Sequence, residues 1–239
     1  MRILGAIVTM LAATLHGQTF EVASIKPAPP PDPRGMTMRV DGGPGTRDPS
    51  VFLCENCSLS MLVINCYDLS FYEFSGPDWM ESERFTVSAK VPEGTTKEQF
   101  RLMKQNLLVE RFQLKFHYVK KEIPSYELVV AKNGPKLKRA AEGASKMYAG
   151  SQSNLHFDSA PMARLASQLS AQMKVPVTDA TGLAGNFEID LHWARETESG
   201  DGPTLFDALQ DQLGLRMEKK KGTVDVLTVD HIEKMPTEN

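Results

Sequence analysis

Residues 162–193 read MARLASQLSAQMKVPVTDATGLAGNFEIDLHW, and the change of period inside this stretch decides the fold class. Met162, Leu165, Ala166, Leu169 and Met173 recur at helical spacing and make one apolar stripe. Ser159 and Pro161 mark its start, since proline fits a first helical turn, where its missing N–H leaves no bond unmade. Residues 175–178 then read as a short strand, and Gly182 and Gly185 punctuate a turn. From residue 186 the period drops to two: Phe187, Ile189, Leu191 and Trp193 alternate with Glu188, Asp190 and His192. A striped helix followed by a one-faced strand is the repeating unit of an α+β layer.

The same order occurs earlier in the chain. Ser58 can cap a helix carrying Leu59, Leu62, Val63, Cys66 and Tyr67 on one stripe, and residues 84–91 place Phe85, Val87, Ala89 and Val91 on one strand face. Thr96 with Gln99 is a capping-box pattern that opens a second helix, striped by Phe100, Met103, Leu107 and Leu108. Residues 112–121 and 125–132 predict two strands turned around Ile123 and Pro124. In the second half, Thr204 with Asp207 starts a helix bearing Leu205, Ala208, Leu209, Gln212 and Leu213, and residues 215–220 and 223–232 predict a hairpin over Lys221 and Gly222. Aligning the halves puts Leu59, Leu62 and Cys66 on Met162, Leu165 and Leu169, and puts Phe85, Val87, Ala89 and Val91 on Phe187, Ile189, Leu191 and Trp193. The expectation is an α+β fold of two similar modules, helices on mostly antiparallel sheet, made by internal duplication. The modules span residues 51–133 and 153–239, with a linker over 134–152.

Toward the N-terminus, residues 20–26 (FEVASIK) alternate like a short strand with Phe20, Val22 and Ser24 on one face. PAPPPDPRG follows, too rich in proline for a helix or a central strand. Residues 18–50 are therefore expected to be a strand and a Pro/Gly-rich linker, with a short strand at 36–40. Arg2 precedes an uncharged stretch, residues 3–15, and a helix over it covers about 20 Å. That is short of the roughly 30 Å hydrocarbon core of a bilayer. Residues 1–17 read as a cleavable secretory signal, which places the protein in the periplasm or outside the cell, with no stable membrane anchor after cleavage.

The formal charge of −3, or −4 once Arg2 is lost, argues against nucleic acid as a partner. The basic runs at residues 115–121 and 216–221 alternate with apolar residues, as the solvated face of a strand does. In an oxidising compartment Cys54, Cys57 and Cys66 allow one disulfide with one thiol left over, the pairing being left open. Cys54 and Cys57 have the spacing of a thiol–disulfide exchange motif, yet both precede the Ser58 cap, whereas a reactive cysteine gains its low pKa at a helix N-terminus. Cys66 lies on an apolar stripe, where cysteine serves as a small buried hydrophobe. His117, His156, His192 and His231 stand in no HxxxH or HxH pattern, so no metal site is expected, and His117 and His192 are expected to point outward from strands. Glu81/Glu83 and Glu188/Asp190 read as solvated charge. The chain has no GxSxG elbow, phosphate loop or GxGxxG, and no cofactor is expected. Two loops stand out as candidate binding elements: Asp78 and Trp79 between turn residues, and Asp179 in DATGL.

At FEVASIKP, GPDWMESERF, EQFRLMKQNLLVERFQLKFHYVKKEIPSYELVVAKNGPKL, VPVTDATGLAGNFEIDLHW and LFDALQDQLGLRMEKKKGTVDVLTVDHIEKMPTEN, the chain closely resembles a secreted, soil-associated bacterial family, domain-of-unknown-function family 3738, abundant in acidobacteria. The resemblance implies an exported bacterial protein and brings no activity with it. Related domains attached to membrane-embedded sensor peptidases point toward envelope sensing. Each helix-then-strand module is also similar to the short N-terminal domain of secretins and TonB-dependent receptors, which binds partners. The leading functional expectation is a non-catalytic module that binds an extracytoplasmic protein or glycan. The alternatives are a hydrolase-type enzyme with its site at the cleft between modules, and a thiol–disulfide oxidoreductase using Cys54 and Cys57.

Overall fold

A computed structural model describes residues 19–29, 38–145, 147–151, 153–194 and 202–237. The signal stretch and most of the proline-rich segment lie outside the described residues. The chain order is β1 (Ala23–Pro27), β2 (Arg39–Gly42), β3 (Val51–Ser58), α1 (Leu59–Cys66), β4 (Phe74–Ser75), β5 (Arg84–Lys90), α2 (Lys97–Phe112), β6 (Lys115–Val130), β7 (Lys138–Arg139), β8 (Tyr148–Gly150), β9 (Asn154–Ala160), α3 (Met162–Met173), β10 (Val177–Asp179), β11 (Phe187–His192), α4 (Leu205–Leu213) and β12 (Leu215–His231). The strands form sheet I (β1-β5-β3-β2), sheet II (β10-β6-β12-β4) and sheet III (β7-β11-β9-β8). β10 and β6 pair in parallel, while the β1–β5, β2–β3, β3–β5, β7–β11, β8–β9 and β9–β11 ladders are antiparallel, so the fold is α+β, as expected. No helix among the described residues is long and apolar enough to cross a membrane.

The chain divides into two compact units. Of the described residues, those up to 69 with 76–117 and 228–237 make unit 1, and those in 70–75 and 118–227 make unit 2. In unit 1, both expected helix starts form through local caps. Ser58 Oγ accepts from the Met61 N–H at 3.2 Å, and Thr96 and Gln99 bond reciprocally at 3.2 and 2.9 Å. Each cap contributes about 1 kcal/mol by satisfying N–H groups that a helix leaves open. The stripe of α2 packs on sheet I through Phe112 against Phe85 (5.2 Å between ring centres) and Phe100 against Phe52 (5.7 Å). Lys104 of α2 is buried, and its Nζ donates to the Asn65 carbonyl at 3.0 Å. A cation at the last turn of α1 complements the negative end of that helix, which is why a charge tolerates this site.

The first strand is displaced from its expected position. It runs Ala23–Pro27 with Ala23 buried, while Val22 is 63% exposed. A slip of one residue reverses the faces of a strand, and pairing of Ala23 with Ala89 fixes the observed phase.

In unit 2, α3 and α4 cover one face of sheet III. Met162, Leu165, Ala166 and Leu169 from α3 and Ala208, Leu209 and Leu213 from α4 meet Leu155, Phe157, Phe187, Ile189 and Leu191 from the strands in one buried cluster. Burying each leucine or phenylalanine of that set stabilises by about 1.5–3 kcal/mol. The stretch 134–152, expected as linker, holds the edge strands β7 and β8.

Both expected hairpins are single long strands instead. At Pro124 the missing N–H costs nothing. The Tyr126 N–H points to the β10 side and donates to the Pro176 carbonyl at 2.8 Å. Position 124 faces the same way two residues earlier, beyond the paired segment of β10. Gly222 marks a close approach rather than a turn. A Cβ there would stand 3.1 Å from Ser125 Oγ on β6.

Sheets I and III are built alike, strand for strand. In sheet I, Phe52, Cys54 and Cys57 of β3 face Ala89, Val87 and Phe85 of β5. In sheet III, Leu155, Phe157 and Ala160 of β9 face Leu191, Ile189 and Phe187 of β11. In each, the register advances three residues on one strand against two on its partner at the same place, a β-bulge. Gly42 opposite Phe52 and Gly150 opposite Leu155 hold matching positions on the edge strands.

Candidate functional site

The strict alternation of β9 and β11 determines what sheet III presents on the face away from its helices. Leu155 and Phe157 point into the core, so His156 and Asp158 point outward; Ile189 and Leu191 point in, so Asp190 and His192 point out. The register sets His156 directly opposite Asp190. Four side chains are thereby connected in a string. His192 Nε2 lies 2.9 Å from Asp190 Oδ1, the same oxygen is 3.7 Å from His156 Nδ1, and His156 Nε2 is 3.1 Å from Asp158 Oδ1. The inner pair is partly shielded (His156 35%, Asp158 31% exposed), while Asp190 and His192 stand out at 59% and 63%. On β8, Ala149 faces His156, so a methyl group is all that flanks its ring from that strand.

The backbone that carries this string is fixed at its open end. Gln212 of α4 receives the His192 N–H on Oε1 at 3.0 Å and donates Nε2 to the His192 carbonyl at 2.7 Å. Gln212 therefore seals a strand edge and does not belong to the apolar stripe expected for α4. On the same face Lys138 Nζ pairs with Glu188 at 2.7 Å.

The other sequence-selected residues lie elsewhere. Asp78 and Trp79 share one turn of 3-10 helix in unit 1. Asp78 is exposed, and the half-buried Trp79 ring carries Lys234 Nζ 5.0 Å from its centre. The Trp79 carbonyl accepts from the Ser82 N–H, the Ser82 hydroxyl and the Glu83 N–H. Asp179 belongs to unit 2 and turns back on its own loop, its Oδ1 accepting from the Thr181 N–H at 2.9 Å and the Thr181 hydroxyl at 2.7 Å. That is an Asx turn, a structural use of the carboxylate.

Cys54 and Cys57 form a disulfide across the β3 bulge, and both residues are fully buried. Asn56 between them takes a left-handed conformation, φ 53°. Arg84 holds it by donating Nε to Asn56 Oδ1 (2.9 Å) and Nη2 to its carbonyl (2.7 Å). Thiol exchange requires an approachable sulfur, and burial withholds these two. Cys66 is a free, buried thiol pushed up to about 12 by burial, with Lys104 pulling the other way and Asp68 adding slightly to the rise. The two remaining described histidines are each held by a carboxylate: His117 by Asp230 at 2.8 Å and His231 by Glu233 at 3.1 Å.

The His156–Asp158–Asp190–His192 string brings two imidazoles and two carboxylates together on one sheet face. Its sequence signal is the pair LHFD and DLH, where His and Asp hold adjacent outward positions of two alternating strands. A family model described as protein of unknown function (DUF3738) matches residues 60–232. No curated protein and no solved structure matches the chain at a significant level. The match begins in α1, runs to the end of β12 and leaves only β1, β2 and β3 of sheet I before it, and the chain belongs to this family of proteins of unknown function, DUF3738.

Proposed function

We propose that the chain is a non-catalytic binding module that works outside the cytoplasm, secreted or periplasmic, and engages a protein or glycan partner through the open face of sheet III. The observation that carries this reading is the half-exposed string of His156, Asp158, Asp190 and His192 on a sheet face turned to solvent. A rigid strand pair presents hydrogen-bonding side chains at fixed spacing, as a recognition surface requires. The disulfide between Cys54 and Cys57 supports an oxidising compartment, as does the signal-like stretch at residues 1–17. The matching strand orders, registers and bulges of sheets I and III support an origin by internal duplication, with the binding face elaborated in the second copy.

The test is a pull-down from an envelope extract of the source organism with wild-type protein and a His156→Ala/Asp190→Ala variant, read by mass spectrometry. A partner retained in stoichiometric amount by the wild type and lost by the variant is the expected result. Equal retention by both would refute the assignment of the face. Turnover of glycosides, esters or peptides by the purified wild type, abolished by a single substitution, would refute the non-catalytic reading.

A further inference from the structure

We infer that unit 2 carries a recess for a small zwitterion of the α-amino-acid class, its carboxylate held by Arg139, Ser159 and Asn186 and its ammonium by Glu142. The recess shares no residue with the His156–Asp190 string, so each proposal can fail without the other.

Arg139, Ser159, Asn186 and the loop 140–144 line a recess of about 430 Å³, all within unit 2. That volume falls in the range of small-molecule sites. The fold sets Arg139 in place. Its guanidinium lies over the Phe187 ring, 5.4 Å from the centre, and Nη1 donates to the Ala184 carbonyl at 3.2 Å. At Gly185, φ +97°, a Cβ would stand 2.7 Å from that nitrogen, so glycine leaves the guanidinium its room. No carboxylate among the described residues pairs with Arg139. The half-buried Ser159 hydroxyl and the Asn186 side-chain amide likewise bond no other described residue. Three side chains with donors to spare therefore border one concavity. A guanidinium takes a carboxylate through two parallel N–H bonds, and a hydroxyl and an amide add further donors.

Sheet I shows that the opening is particular to sheet III. Arg139 opposite Phe187 holds the place of Pro27 opposite Phe85. The next residue bonds alike in both sheets: the Ala28 N–H donates to the Arg84 carbonyl at 2.8 Å, and the Ala140 N–H to the Asn186 carbonyl at 3.0 Å. Asn186 thus corresponds to Arg84. Ser159, one residue before Ala160, corresponds to Asn56, one residue before Cys57. In sheet I, Arg84 bonds Asn56 at 2.9 and 2.7 Å, and the two residues satisfy each other. In sheet III shorter side chains replace both, the clamp is gone, and a guanidinium comes instead from the edge strand β7.

The charges around the recess select the class of ligand. Glu142 sits on the turn that the Ala144 N–H closes on the Ala141 carbonyl at 3.1 Å, and its carboxylate pairs with no cation among the described residues. A plain anion on Arg139 would meet that like charge at a cost, whereas a ligand bearing both a carboxylate and an ammonium answers both groups.

The experiment is an NMR titration of the isotope-labelled full chain with each protein amino acid in turn, with acetate and ethylamine as controls of one charge each. At least one amino acid is expected to saturate the protein and to move the Asn186 side-chain amide signal. Arg139→Gln should weaken that binding about tenfold or more, and Glu142→Gln about two- to fivefold. Circular dichroism of both variants should match the wild type, because both side chains are exposed. Saturation by no amino acid overturns the inference, as does binding undiminished by Arg139→Gln. Acetate bound as tightly as the best amino acid, and unaffected by Glu142→Gln, overturns the zwitterion.

Discussion

Replacing both Cys54 and Cys57 by alanine should weaken unit 1 without abolishing its fold. The disulfide closes a loop of sequence separation 3. The chain-entropy relation gives about 1.9 kcal/mol at 25 °C for a four-residue ring. Both residues are fully buried, and losing two sulfur-sized groups adds on the order of 1 kcal/mol each. The expected loss is thus about 2–4 kcal/mol, which at a urea dependence of about 2 kcal/mol/M lowers the midpoint by roughly 1–2 M. Retention of the fold is expected because sheet III forms the same bulge with Phe157 and Ala160 at the matching positions and no disulfide. The chain has two tryptophans, Trp79 in unit 1 and Trp193 in unit 2. A Trp193→Phe background therefore leaves Trp79 fluorescence as the reporter of unit 1 in a urea titration. An unchanged midpoint would show that the crosslink does not constrain the bulge. Loss of the far-ultraviolet circular dichroism signal in the absence of urea would refute the claim that the bulge is encoded by the sheet.

Further expectations follow from individual contacts. The Cys66 thiol, ordinarily at 9.0 and raised to about 12 by burial, keeps its proton in the folded state where the unfolded chain loses it. Stability is then full below about pH 9 and falls as pH rises toward 12; urea midpoints at pH 8 and pH 10 should show the decline, and Cys66→Ala should remove it. With Ellman's reagent at pH 8 the native protein should not react, and the protein in urea should release one thiol equivalent. Gly42 adopts φ +89°, and a Cβ would fall 2.1 Å from the Val51 carbonyl oxygen. Gly42→Ala should therefore cost at least about 1–3 kcal/mol, visible as a lower melting temperature. Gln212→Ala removes both bonds to the His192 backbone and should cost about 1 kcal/mol in chemical denaturation, since water replaces much of what is lost at that exposed edge.

The elements legible from the sequence are those whose signals are local. Ser58, Thr96 and Thr204 each cap the helix they precede, and the stripes of α1, α2, α3 and α4 supply the buried faces. The alternation of β5 and β11 likewise matches their burial. Proline and glycine misled where their meaning depends on a neighbour. Pro124 reads as a turn until the open flank of β6 is known, and Gly222 reads as a turn until Ser125 is seen opposite it. The short strands β7 and β8 have too few residues for a period and exist through pairing with β11 and β9. The candidate site was hidden for the same reason. His156 and Asp190 are far apart in the chain and meet because the bulge sets their register, a three-dimensional feature that neither strand announces alone.

Aspartate is depleted in strand interiors, yet Asp158 and Asp190 both sit within strands whose core faces are strictly apolar. A residue that runs against local propensity at an exposed position earns its place by packing, by pairing or by function. Packing is excluded, since both side chains face away from the helices. Pairing is present, and cross-strand or same-face pairs of this kind return roughly 0.2–1 kcal/mol, about what the propensity takes away. Sheet I reaches the same order, register and bulge with Leu53 and Ser88 as the facing pair, so the architecture has no need of histidine and aspartate there. With stability near balance and the scaffold indifferent, the proposed binding role accounts for the His156–Asp190 face, and a double-mutant cycle tests it: removing both residues should leave the unfolding free energy within about 1 kcal/mol of wild type while eliminating partner binding.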